Sequence, residues 1–464
     1  MAEENDRRSL QRIGYVGSFA LLVMAAFAIY FAKERLYADA GYFLMRVIDE
    51  ESFHVINQRW LMPLIQWLLL LGVKLGLPLT TITALYSLGN VALAMALFGY
   101  VGHVLRDRQH ALILVATQFV GLAQALFCPV FELYYGAMLV IALRALLQSE
   151  RIHTRSGRII ACLLFALVAT CHFLGLLVLL LMLAMDRIWQ QRKLAIAFGI
   201  ILVVLMIHRF IGLSGYEDRA LSTVLLRAKL DGLAWIFAPG RLWPHAVQAL
   251  WHYPDAIIVA IFTVFAAWRR KAWWPLGVLL VGHLTIYTLV SLYFPDGTHD
   301  RYRETLDYAH VLWALVSAAW AVQHVQRSAM WSTYIFTVLF IPRVLWSIHV
   351  GHTFTERREW MEARITHARE QGITKGLDTA ARTFIAPGFN SAPLYTPAPF
   401  EYLLLSAMDG PDRTVVLVSI ASATYNANDL QTIEQALRSE GVMLPEQPNG
   451  RYFHMPQGPF RLVE

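Results

Sequence analysis

Residues 13–32, IGYVGSFALLVMAAFAIYFA, contain no charge. As a helix such a run rises about 30 Å, enough to cross the hydrocarbon of a bilayer. Further apolar runs occupy 61–77, 81–104, 111–128, 133–148, 159–185, 194–211, 255–268, 273–293, 309–325 and 330–350. Inside lipid every backbone polar group needs an internal partner, which leaves helices or a closed barrel. The short alternating segments of a barrel are absent, so helices are expected. With 57% hydrophobic and only 16% charged residues, against about 25% charged in soluble domains, the chain reads as an α-helical polytopic membrane protein of about 9–12 transmembrane helices.

The opening MAEENDRRSLQR is too polar for a cleaved leader, so 13–32 is expected to stay as the first span. Arg7, Arg8 and Arg12 and the basic stretches 106–110, 149–158, 186–193, 269–271 and 324–327 ask for the cytoplasmic side. They agree if 33–79 stays outside, 61–77 lies on the surface or re-enters, and 159–185 enters and leaves from one side with a break near TCHFLG (170–175). The rival arrangement makes 61–77 and 159–185 full spans, which puts two basic loops outside. The net charge of +6 is accounted for by these loops, so no nucleic-acid partner is expected. Cys128, Cys162 and Cys171 sit in or beside apolar segments and offer no disulfide framework.

The division expected is a transmembrane region, 1–352, and a small soluble extracytoplasmic α/β domain, 353–464. The outer loops of the first are 33–60, 212–254 and 294–308. The second opens with a charged helical stretch from Thr353, crosses a Pro-rich segment, then reads as strand (414–420), helix (429–441) and short strands around RYFHM and FRLVE. The location implied is the cell (inner) membrane, multi-pass, with a cytoplasmic N-terminus and a periplasmic C-terminal domain.

The first outer loop carries Asp39, Arg46, Asp49, Glu50, Glu51, His54, Gln58 and Arg59 among hydrophobic positions. GYFLMRVIDEESF reads as helical, which puts Asp39 at or just before an N-cap. The same carboxylate, held beside hydrocarbon, suits a general base, and a nearby arginine suits a phosphate leaving group. In CPVFELYYG, Glu132 is a second acid at the edge of a span. It reads either as a functional acid or as an interfacial residue among belt tyrosines. His172 lies within an apolar run. The densest charged stretch, FPDGTHDRYRETLDYAH (294–310), contains Arg301 and Arg303 and reads as a phosphate contact or as an ion-paired loop. Walker A, GxGxxG, HExxH, CxxC and GxSxG patterns are all absent.

This order of parts resembles the C-type (GT-C) glycosyltransferase superfamily: one span, an outer loop opening on ADAGYF, many later spans and a C-terminal outer domain. The stretch NQRWLMPLIQWLLLLGVKLGLPL is similar to the family's polar-proline lead into a hydrophobic helix, and LVATCHFLGLLVLLLML to its histidine at an outward break. The resemblance implies an inverting transferase that moves a sugar from a polyprenyl-phosphate donor to an acceptor hydroxyl on a glycan or lipid-glycan. Asp39 would be its catalytic base, and Arg46, Arg59, His172, Arg301 and Arg303 its donor-phosphate contacts. Glu132 would be a possible second acid, and membrane lipids the surrounding partners. No cofactor is expected, because no acid follows Asp39 two residues on and Asp49-Glu50-Glu51 lies too far along for a metal pair. A transporter or flippase, or a ligase or polymerase of lipid-linked saccharides, is the alternative.

Overall fold

The computed structural model describes residues 2–56, 58–211, 215–230, 235–293, 301–324, 329–378, 380, 384, 398–419, 448–456 and 459–463. The predicted helix 429–441 and most of the Pro-rich segment lie outside these residues. The helices are α1 (Ala2–Tyr30), α2 (Asp39–Glu50), α3 (Pro63–Lys74), α4 (Leu79–Gly99), α5 (Arg108–Ala116), α6 (Glu132–Gln148), α7 (Arg155–Ala169), α8 (Phe173–Met185), α9 (Arg192–Ile211) and α10 (Gly215–Leu230). They continue as α11 (Pro239–His252), α12 (Pro254–Arg269), α13 (Trp273–Tyr293), α14 (Arg301–His324), α15 (Ala329–Glu370) and α16 (Ala398–Ala407). The protein is an α-helical membrane protein. Among the described residues five helices are long and apolar enough to cross a bilayer, or six if α11 and α12, bent by 101° at Tyr253, form one broken span.

That number falls below the expected nine to twelve; the expected spans 133–148 and 194–211 are the continuous helices α6 and α9, outside that set, while other expected spans are shortened or broken. Segment 61–77 gives only the twelve-residue α3, roughly 18 Å long and too short to cross alone. It folds back on α4 through Gly76, whose φ is +65°, and Pro78 caps the start of α4. Segment 159–185 divides into α7 and α8 at Thr170–His172, within the stretch where a break is expected. His172 makes the break: its Nδ1 accepts the amide of Leu174 at 3.2 Å and caps α8.

The expected span 111–128 is corrected more deeply. Helix α5 stops at Ala116, and 117–131 is a buried irregular segment with one short 3-10 turn, Gln124–Phe127. Such backbone survives in an apolar interior only if other groups satisfy it. Glu304 accepts the amides of Ala123 (2.7 Å), Gln124 (3.0 Å) and Ala125 (3.0 Å). Asp255 accepts that of Gly121 at 3.0 Å. The hydroxyls of Tyr308 and Tyr134 donate to the carbonyls of Thr117 and Gln118. Gly121, at φ +68°, lies where a Cβ would come within 2.4 Å of Val311.

Helix α15 runs unbroken for 42 residues through Pro342, so the apolar stretch before 352 and the charged stretch after it form one rod. Its distal half is tied to the short turn Glu34–Leu36 by Arg358–Glu34 and Lys33–Glu362. Beyond it a parallel sheet of order β2-β1-β3 joins β1 (Lys375–Asp378), β2 (Val416–Ser419) and β3 (Arg461–Val463). Strands are found within 414–420 and FRLVE as expected. RYFHM instead forms a turn, and β1 has no counterpart in the sequence expectation.

Packing of α3 on α4 hinges on Gly89, where a Cβ would sit 2.2 Å from the carbonyl oxygen of Ile65. Backbone cannot yield as a flexible side chain does, so Gly89→Ala should destabilise the protein by about 1–3 kcal/mol. The check is the thermal unfolding midpoint in detergent; an unchanged midpoint would show that the two helices are not held at this distance.

Candidate functional site

Asp39 is the first residue of α2, and the N-cap is Ala38, whose side chain caps nothing. Ala38 has φ 56° and ψ −129°, a conformation that costs an alanine roughly 1–3 kcal/mol and persists only where its surroundings impose it. What imposes it here is remote in sequence. The Ala38 amide donates to Glu401 Oε1 at 3.1 Å. Arg357 grips the same carboxylate with two hydrogen bonds, 2.6 and 2.9 Å, and lies 4.9 Å over the ring of Tyr37. The close approach of α16 needs Gly41, where a Cβ would be 3.3 Å from Glu401 Cγ. Burial pushes the Glu401 carboxyl up from its ordinary value, against the pull of Arg357. Asp39 itself is half-buried, in electrostatic reach of Glu401 and of Tyr86. Tyr86 in turn donates to the carbonyl of Ala40 at 2.9 Å.

A second group lies along the same face. Arg59 forms a short ion pair with Glu132, the first residue of α6. His172 feels the charges of both Arg59 and Arg209, the latter in the last turn of α9. Cys171 sits between Gly136 and Gly175, with its Sγ 2.7 Å from where either Cβ would be, so α6 and α8 close tightly at this point. Tyr135 links the two groups, being in electrostatic reach of both Tyr86 and Glu132. Asp39 on α2 and the group of Arg59, Glu132 and His172 on the 51–62 loop, α6 and the α7–α8 break are thus connected by electrostatic reach through Tyr86 and Tyr135, and the two together are the candidate polar seam.

The other predicted residues stand apart. Arg46 pairs with Glu50 at 2.9 Å and Asp49 at 3.8 Å. Glu50 also contacts His54 Nδ1 at 3.1 Å, leaving Nε2 to the Tyr42 hydroxyl at 3.3 Å. Glu51 joins this loop to Lys74 and Asn449; its carboxyl is held below the ordinary value, first by the Lys74 hydrogen bond. Arg303 donates from Nε to Asp307 at 3.1 Å and from Nη2 to His245 Nδ1 at 2.6 Å. Beside it His283 and His310 stack with their Nδ1 atoms 3.1 Å apart. Arg301 begins α14, but its side chain, like Asp296, His299 and Asp300, lies outside the described residues. Among the described residues no three His, Cys, Asp or Glu groups are set to hold a metal ion, and Cys128, Cys162 and Cys171 form no disulfide.

Sequence reasoning missed Tyr86, Arg209, His245, Arg357 and Glu401. Their partners are far away along the chain, so no local pattern marks them. Only the basic residue ending an apolar run, Arg209, carried a readable signal, as an ionisable group at the edge of a span. The chain matches no protein-family model, no curated protein and no solved structure.

Arg357 and Glu401 are each 3% exposed at the side chain. Removing one partner leaves a buried charge uncompensated, so Arg357→Gln should cost about 3–5 kcal/mol. The double variant Arg357→Met/Glu401→Gln, which removes both charges and keeps an acceptor for the Ala38 amide, should recover much of that. Thermal unfolding of the three proteins checks the ordering; a double variant no better than the single one would show that the pair matters only for packing.

Proposed function

We propose that this protein is a membrane glycosyltransferase that moves a sugar from a polyprenyl-phosphate donor to an acceptor hydroxyl at the extracytoplasmic face, with inversion and with Asp39 as general base. The observation that carries the reading is the turn at Ala38–Asp39. A strained alanine presents a half-buried carboxylate on the first turn of a short helix directly after the first span. Strain imposed from outside the segment is what a positioned reacting group requires. Asp39 would take the acceptor proton as the hydroxyl oxygen bonds to the anomeric carbon. The bond from that carbon to the phosphate oxygen would break on the opposite side. Arg59 and Arg209, both in electrostatic reach of His172, supply charges and donors suited to the departing phosphate.

Topology follows the same reading: the N-terminus is cytoplasmic, and Asp39 and the C-terminal sheet are on the far side of the inner membrane. Arg46 and Arg303, each already ion-paired, are secondary candidates for the donor phosphate. The broken helices α7–α8 and the irregular segment 117–131 also suit a transporter of lipid-linked saccharides, whose sites are built on discontinuous helices. That reading requires labelled lipid to cross a proteoliposome membrane chemically unchanged.

The test uses purified protein in nanodiscs with a panel of polyprenyl-phosphate hexoses and pentoses and a glycolipid acceptor. Wild-type protein should release polyprenyl phosphate and glycosylate the acceptor. Asp39→Asn should lower that rate by roughly 10²–10⁴-fold, the range of general-base catalysis. Transfer at the wild-type rate by Asp39→Asn would refute the assignment, as would no transfer by the wild type with any donor.

A further inference from the structure

At the opposite end of α1 from Asp39, a cleft of about 210 Å³ opens among Gln11, Tyr15, Ser18, Phe98, His103 and Arg108. It lies where two apolar helices run out: α1, whose apolar stretch starts at Gln11, and α4, whose span ends at Val104. The last turn of α4 is widened into a π-helix, Tyr100–Val104, a feature often found at functional sites. The π-turn carries His103, an exposed side chain, and the following loop brings in Arg108, the first residue of α5.

We propose that this cleft binds the phosphate of an anionic phospholipid, a site separate from the transferase seam. Four features carry this. The polar side chains lining the cleft offer donors: the Arg108 guanidinium, the His103 imidazole, the Gln11 amide and the Ser18 hydroxyl. The nearest acid in sequence, Asp107, is turned to His110, whose Nδ1 and amide it holds at 2.6 and 3.0 Å, so its oxygens are engaged away from the cleft lining. The remaining wall is apolar, with Phe98 lying on Gly17 so closely that a Cβ there would be 2.5 Å from the ring, and Tyr15 exposed beside it. Gly14 borders the cleft with nothing within 4 Å of where its Cβ would be. The volume is below the roughly 300 Å³ at which small-molecule pockets begin, which suits a headgroup phosphate whose acyl chains stay in the bilayer. Basic groups at the end of a span are placed to meet the anionic surface of the cytoplasmic leaflet.

Native mass spectrometry of the full chain in detergent, titrated with phosphatidylglycerol, phosphatidylcholine or inorganic phosphate, tests the site. Wild-type protein should retain one phosphatidylglycerol with about tenfold preference over phosphatidylcholine, and millimolar phosphate should not displace it. Arg108→Gln, which loses a charge-assisted contact, should weaken retention about tenfold. Gly14→Leu, which fills the cleft from a position with free space, should do the same, while Lys271→Gln at a remote exposed position should not. Thermal unfolding verifies that each variant is folded, and a variant that fails to fold is replaced by His103→Asn, for which the same loss is expected. Equal retention of both lipids, displacement by free phosphate, or unchanged binding in the folded cleft variants would overturn the proposal.

Discussion

Backbone amides that are neither in a helix nor in water must find an acceptor, and in this protein buried carboxylates provide it. Glu304 receives three amides of the segment 117–131, Asp255 a fourth, and Glu401 the amide of Ala38. An amide left unpaired in an apolar interior costs several kcal/mol, so these contacts decide where helices are allowed to stop. Two of the three carboxylates are themselves gripped bidentately by arginines of one helix: Arg343 holds Asp255 and Arg357 holds Glu401. Helix α15 thereby fixes both the irregular segment and the Asp39 turn. A shift of that rod would be felt at both.

The seam from Asp39 to Arg209 depends on this arrangement. Tyr86 of α4 and Tyr135 of α6 are in electrostatic reach of the two groups, and α6 starts directly after the irregular segment whose amides Glu304 and Asp255 accept. Had 117–131 continued as a helix, α6 could not begin at Glu132 beside Arg59. The break at Thr170–His172 adds the remaining piece. A histidine that caps one half-helix lies in electrostatic reach of two arginines from other elements, the feature on which the proposed phosphate site rests. The ion pair of Arg59 with Glu132 compensates a guanidinium that is largely shielded from solvent.

Local chemistry explains what the sequence made legible. The membrane class followed from apolar runs, and the break in 159–185 from the length of the run and the basic loops at both its ends. Strand β2 followed from a β-branched run beyond a turn. The failures share one cause. The run ATQFVGLAQALFCPVF has the composition of a span, yet its backbone is satisfied by residues some 130 to 180 positions away, and tertiary contacts override helix propensity. The continuous rod of α15 was divided at 352 because its composition changes there, although composition does not interrupt hydrogen bonding. Asp39 was singled out for its position after a span; Ala38 holds the cap position itself, and Asp39 stands in the first turn, where the helix dipole favours an acid. The groups that shape its turn, Arg357 and Glu401, carry no signal short of the fold.

The central claim is that the seam between Asp39 and Arg209 receives a lipid-linked phosphate. The most direct measurement is an electron cryo-microscopy structure of the full chain with polyprenyl phosphate bound. The account predicts density for the phosphate between Arg59, Arg209 and His172, with the prenyl chain leaving along α8 or α9 and Asp39 facing the vacant sugar position. Phosphate density at the opposite end of the bundle, or at the Arg303–His245 cluster with the seam unchanged, would contradict it.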